Sequence, residues 1–131
     1  NHYFWKQTAV ELDAIEKALT QKTGQRPLIV GLSKWSIASS LRFYDVDKQV
    51  DNIISRNAVG RTASMYEHWT IPSDWHGHPV IFVAFNENDL NSAEISAHAS
   101  NLRQAEKIVI SNNNNKLREL NYRIAEKYQI K

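Results

Sequence analysis

Two uninterrupted apolar runs stand out in a chain that otherwise mixes polar and apolar positions. Val80-Ile81-Phe82-Val83-Ala84-Phe85 is the longer, and Leu28-Ile29-Val30-Gly31-Leu32, directly behind Pro27, is the other. Short runs with no polar alternation, rich in β-branched residues, predict strands buried on both faces, the situation of a parallel sheet. A different period precedes them. Leu12, Ile15 and Leu19 recur on one face of a 3.6-residue helix. Thr8-Ala9-Val10-Glu11 has the form of a capping box, and Gly24 supplies a C-terminal stop, which predicts a helix from about residue 8 to about residue 23.

Shorter elements fill the rest. Ser33 is placed to cap a second helix whose apolar stripe is Trp35, Ala38, Leu41 and Tyr44. Val50 to Ile54 reads as a short strand, and Arg56 to Thr62 as a loop with Gly60 as its flexible point. Ser64-Met65-Tyr66-Glu67 is a second capping box, opening a short helix that runs through Trp69. Asn86 to Asn91 is turn-like, and Glu94 to Leu102 carries no pattern that assigns it. Arg103 to Ile110 predicts a strand, the Asn112–Asn115 run a turn, and Leu117 to Ile124 a strand with Leu120, Tyr122 and Ile124 inward, a terminal helix being the competing reading. Helix and strand thus alternate and then give way to a hairpin. Right-handed crossovers make such an order a small three-layer, Rossmann-like α/β domain with parallel strands and an antiparallel C-terminal hairpin. No internal repeat and no linker divides residues 1–131.

Composition narrows the functional classes. The chain has 131 residues, enough to bury a core. Sixteen Lys and Arg against 14 Asp and Glu leave a net charge of +2, and no run of like charge forms a nucleic-acid arm. Cysteine is absent, which removes disulfides, thiolate nucleophiles and Cys-type zinc sites. No apolar run reaches the ~18 residues of a membrane span. The start at His2-Tyr3-Phe4-Trp5-Lys6, without an initiator Met, suggests a fragment of a longer polypeptide. Aromatics followed by Lys suit a membrane–water interface, and equally suit packing beneath the first helix.

Three groups of residues invite a chemical reading. Ser33 and Lys34 follow the first strand where a helix begins, the usual ligand end of an open α/β sheet, although one glycine there is not a dinucleotide fingerprint and an ordinary capped turn has the same residues. His68, His76 and His78, with Glu67 and Asp74, are metal-ligand types crowded together, but without HEXXH or other ligand spacing; a polar loop entering a buried strand explains them as well. Asn57, Arg61, Tyr66 and Trp69 combine a forked cation with two aromatics three positions apart, a pairing suited to phosphate, carboxylate or sugar, although such aromatics are more often core. No Gly-x-Ser-x-Gly elbow and no paired catalytic carboxylates are present.

The segment Trp35-Ser36-Ile37-Ala38-Ser39-Ser40-Leu41-Arg42-Phe43-Tyr44 resembles the aromatic-x-x-Ala-Ser-x-Leu-x-Phe-Tyr segment in the C-terminal soluble region of bacterial dolichyl-phosphate-mannose-type glycosyltransferases. The aminoarabinose transferases acting on lipid A belong to the same superfamily. Asn57 to Trp69, with Gly60, Arg61, Tyr66 and Trp69, is similar to that family's Asn…Gly-Arg…Tyr-x-x-Trp segment, and Gly77 to Val83 to its Gly-x-x-x-hydrophobic strand. Ser40 stands where the family commonly has an acidic residue after the Ala-Ser pair. The resemblance implies a parent with many membrane helices and an extracytoplasmic C-terminal domain. It also implies transfer from a polyprenyl-phosphate sugar to protein, lipid or glycan, with the catalytic acidic residue in a loop between early membrane helices, outside these residues. On that basis the chain is expected to act in acceptor recognition or in support of its own transmembrane catalytic region. No catalytic residue, cofactor or nucleic-acid partner is assigned to it, and its substrate-facing candidates are Asn57, Arg61, Tyr66, Trp69 and Ser33. A stand-alone module binding sugar phosphates or nucleotides, and a small metal-dependent hydrolase, are the alternative expectations.

Overall fold

The computed structural model describes residues 2–33, 36–44, 49–60, 73–113 and 115–130, the side chains of Asn57 and Leu117 excepted. In chain order these form α1 (His2–Thr23), β1 (Leu28–Gly31), α2 (Ser36–Tyr44), β2 (Ile53–Ser55), β3 (Val80–Ala84), α3 (Ala93–Ala97), β4 (Ala99–Leu102), β5 (Glu106–Asn112) and β6 (Asn115–Tyr128), with 3-10 turns at Arg56–Val59, Ser73–Trp75 and Glu87–Asn91.

The two apolar runs are the adjacent central strands. β1 and β3 pair in parallel with Leu28 opposite Val80, and every residue of both is buried. β2 pairs in parallel with the other side of β1. β6 lies antiparallel against β3, with Ile81 opposite Ile124, and β4 and β5 follow one another along the far side of β6. The sheet order is therefore β2-β1-β3-β6-β4, with β5 also on β6.

Both faces of the sheet are covered, which gives three layers. On one face α1 and α2 pack Leu12, Leu19, Ile37 and Leu41 onto Ile29, Ile53, Ile81 and Ile124. On the other, Ala58, Val59, Trp75, Leu90 and Ile95, from the 3-10 turns and α3, cover Val30, Ile54, Phe82 and Ala125. The domain is thus a small α/β fold whose parallel strands are followed by an antiparallel hairpin. Leu120, Tyr122 and Ile124 all face the helical layer, which settles the C-terminal segment as strand. Its turn contains Asn113 at φ 52°.

The first helix begins earlier than its capping box predicts. Thr8 lies within α1, fully buried, and its hydroxyl has no hydrogen-bond partner among the described residues. Phe4 and Trp5 extend the buried stripe by another turn, at 0% and 8% exposure. Their rings meet edge-on at 5.0 Å, Trp5 meets Phe85 at 6.2 Å, and the Arg118 guanidinium lies 4.9 Å from the Phe4 ring centre and 4.8 Å from that of Phe85. Burying one such aromatic stabilises by about 1.5–3 kcal/mol, against about 1 kcal/mol for a cap, so packing sets the helix start. Tyr3 faces outward, its hydroxyl donating to the Ser111 carbonyl at 3.3 Å.

Smaller departures have local causes. β2 starts at Ile53 because Asn52, just before it, is fully buried in side-chain bonding. The unassigned stretch after Glu94 contains α3 and β4; β4 is a half-exposed edge strand, and such a strand has neither a clean alternation nor an apolar run. The expected helix through Trp69 lies outside the described residues.

α2 approaches β1 through a residue without a side chain. A Cβ on Gly31 would stand 2.9 Å from the Ala38 amide nitrogen and 3.0 Å from Ile37 Cγ2. Backbone cannot step aside as a flexible side chain can, so Gly31→Ala should cost about 1–3 kcal/mol by overpacking, measured as a lower urea midpoint with an unchanged slope. Tyr128 supplies a second test. It is 1% exposed, its hydroxyl donates to the Ala58 carbonyl at 2.6 Å, and burial pushes its phenol from the ordinary 10.0 up to about 12. Below pH 10 folded and unfolded chains both hold that proton. Above it the unfolded chain releases the proton first, so stability falls by up to about 1.4 kcal/mol per pH unit until the folded group also titrates. Tyr128→Phe should lose about 1–2 kcal/mol at neutral pH and show a shallower alkaline loss than the parent, both read from denaturation curves across pH.

Candidate functional site

In a sheet of this topology a ligand crevice forms where neighbouring strands send their connections to opposite faces, beyond the carboxyl ends of the strands. β1 leads into α2 on the helical face, while β3 leads into the Glu87–Asn91 turn, whose Leu90 packs on the other. The division is held closed by the Leu32 amide donating to the Val83 carbonyl at 2.8 Å. Ser33 lies directly past that bond. Its hydroxyl accepts from the Ile37 amide at 2.9 Å and from the Ser36 hydroxyl at 3.3 Å. Ser33 therefore ties the entry to α2, the bond that its capping role predicts, and Lys34 lies outside the described residues.

The same edge carries the start of the second candidate group. Gly31 is opposite Ser55, so Ser33 and Asn57 each lie two residues beyond a matched pair. Asn57 belongs to the Arg56–Val59 turn, which Ala58 and Val59, 2% and 1% exposed, pin into the core. The Tyr128 hydroxyl on the Ala58 carbonyl fixes that turn to β6. Gly60 follows at φ 83°, a conformation that suits glycine. A rigid platform thus leads to Arg61. Arg61, Tyr66 and Trp69, like His68, lie outside the described residues.

His76 and His78 stand at the opposite edge, before β3. Their rings are engaged by backbone. The Ile130 amide donates to His76 Nδ1 at 3.1 Å, and His78 Nδ1 donates to the Arg26 carbonyl at 2.7 Å while its ring meets Trp75 edge-on at 5.0 Å. A backbone amide only donates and a carbonyl only accepts, so the neutral tautomers are opposite: the proton is on Nε2 in His76 and on Nδ1 in His78. Among the described residues no group of three His, Cys, Asp or Glu is arranged to hold a metal ion.

Beside them is a network without a periodic signature in the sequence. Asn52 is fully buried and donates from Nδ2 to the Pro27 carbonyl at 2.9 Å and to Glu16 at 3.0 Å. Arg26 donates to Asn52 Oδ1 at 3.0 Å, to Asp51 at 2.6 Å and to the Gln49 carbonyl. The hydrogen bond from Arg26, and then its charge, hold the Asp51 carboxyl below its ordinary 3.8 in spite of partial burial. Helix, strand and loop are joined here by a satisfied polar cluster.

No family model, no curated protein and no solved structure matches the chain. Among the described residues no helix is long and apolar enough to cross a membrane.

Arg26→Ala should destabilise at neutral pH by about 1–3 kcal/mol, since it leaves the buried Asn52 oxygen unpaired. A depressed carboxyl contributes stability above its unfolded value, and loses it as pH falls through the folded one. The gap between parent and variant should therefore narrow below about pH 4 without closing, the Asn52 loss remaining. Urea titrations at pH 7 and pH 3 check this.

Proposed function

We propose that this chain is an accessory, extracytoplasmic domain of a polyprenyl-phosphate-sugar-dependent glycosyltransferase. It recognises the acceptor or supports a membrane-embedded catalytic region. The support is the resemblance of three segments to dolichyl-phosphate-mannose-type transferases, together with their positions in the fold. The first is α2, whose Ala38 backbone packs closely against Gly31, and the third enters β3. The second leaves the Arg56–Val59 turn at the carboxyl edge of the parallel strands, the end at which such sheets bind ligands. The resemblance thus follows the parallel half of the sheet and its ligand edge, and stops short of the antiparallel ribbon.

The accessory character rests on one further observation. His76, His78, Asn52 and Ser33 bond to backbone and Asp51 to the Arg26 side chain, and groups so engaged are positioned for structure. The stand-alone binding module is less well supported, since the Ser33 hydroxyl on which it depends already serves as the cap of α2, accepting from the Ile37 amide. On the proposed reading Arg61 and the aromatics Tyr66 and Trp69 face sugar or phosphate, with Asn57 at the base of their loop. Arg61→Ala in the full-length parent should lower sugar transfer at least about tenfold, the value of one lost charged hydrogen bond, with membrane insertion unchanged. Transfer at the parental rate would remove this surface from the reading.

A further inference from the structure

The opposite end of the molecule holds a cleft whose basic residues lie outside both the resembling segments and the polar network. It lies between the last turn of α1 and the end of β6. Lys22, Arg103 and Lys127 line it, with Leu19, Gly77 and Pro79 forming its floor and wall. Each cation comes from a different element: Lys22 from α1, Lys127 from β6, and Arg103 from the break between β4 and β5. Arg103 is fixed there by its own backbone, its amide donating to the Ile124 carbonyl at 2.8 Å and its carbonyl accepting from Arg123 Nε at 2.6 Å.

None of the three cations forms an ion pair among the described residues. Elsewhere Arg26 pairs with Asp51 and Glu16, Lys17 with Asp13, and Lys107 and Lys116 with Glu119. One carboxylate, Glu126, also lines the cleft, and it accepts from Asn101 Nδ2 at 2.9 Å. Three cations less one carboxylate leave +2 at this place. The carboxyl end of α1 adds only about half a negative charge, so the cleft stays positive. Like charges brought to one concavity repel by a few tenths of a kcal/mol a pair, and Glu126 with the end of α1 offsets this only in part.

We propose that the cleft binds a phosphate monoester. Such a group carries about −1.5 to −2 charges at pH 7, which balances the site, whereas a carboxylate balances half of it. The guanidinium fork suits two phosphate oxygens and the lysines act as point charges on the third. Leu19 and Pro79 give an apolar wall to the body of the ester. The proposal stands independently of the glycosyltransferase reading and concerns the other end of the sheet from Ser33 and Asn57.

The test is a titration of the full chain at low salt, followed by amide NMR. One arm uses a soluble hexose 1-phosphate and the other vesicles of phosphatidylcholine with and without phosphatidic acid. Saturable shifts at Lys22, Gly77, Arg103 and Lys127 in either arm support the proposal, and the arm that responds identifies a free or a membrane-borne ester. Arg103→Gln and Lys127→Ala should each weaken binding about tenfold, with circular dichroism unchanged. Lys116→Ala, on the order of 35 Å away along β6, should leave it intact. Absence of saturation in both arms overturns the proposal, as does an equal loss in Lys116→Ala, which marks diffuse attraction to a basic surface.

Discussion

The close approach of α2 to β1 at Gly31 is the constraint on which the rest depends. A helix normally rests on a sheet through two layers of side chain. Here one layer is missing, and the Ala38 backbone comes within a methyl group's reach of the strand. The shortened distance lets Ile37 and Leu41 reach Ile29 and Ile53, and α1 packs into the same cluster. Interiors are close-packed, so a wider spacing would propagate as voids through that layer. Gly31 is also where the strand ends and the turn to Ser33 begins. The residue that sets the layer spacing therefore also sets the geometry at the carboxyl edge of the parallel strands.

At the other edge the same layers are joined by different means. Asn52 has no apolar surface to contribute, yet it is fully buried, because Pro27, Glu16 and Arg26 satisfy its amide. A buried amide with partners costs little, and one without them costs about 1–3 kcal/mol, so the cluster selects one arrangement of α1 on the sheet. One edge is thus determined by close packing and the other by hydrogen bonds. The polar groups of the second are engaged with one another and with backbone.

Legibility in the sequence followed the physics of each element. β1 and β3 announce themselves because two-sided burial demands unbroken apolar residues. The Asn112–Asn115 turn is legible because asparagine accepts a positive φ, as Asn113 does at 52°. The start of α1 was hidden by Thr8 and Glu11, local residues that mimic a cap, while its actual determinants, Phe85 and Arg118, are distant in sequence. Arg26 and Asn52 were illegible for the same reason, since a polar residue satisfied by remote partners has no period. Of the candidate site, Ser33 was readable as a cap from its neighbours alone. His76 and His78 suggested ligands by residue type, and only their backbone partners show how they are used.

β6 has a consequence that extends to synthesis. It is the last of the described strands in chain order, yet it sits inside the sheet, with Ile124 beside Ile81. At translation speeds of about 5–20 residues per second, the most apolar strand waits on the order of seconds for its second neighbour. During that interval β3 presents bare amides and carbonyls flanked by isoleucine, phenylalanine and valine, a ready template for wrong partners. A chain broken off before residue 121 would keep that edge open permanently, since residues 121–125 are what cover β3.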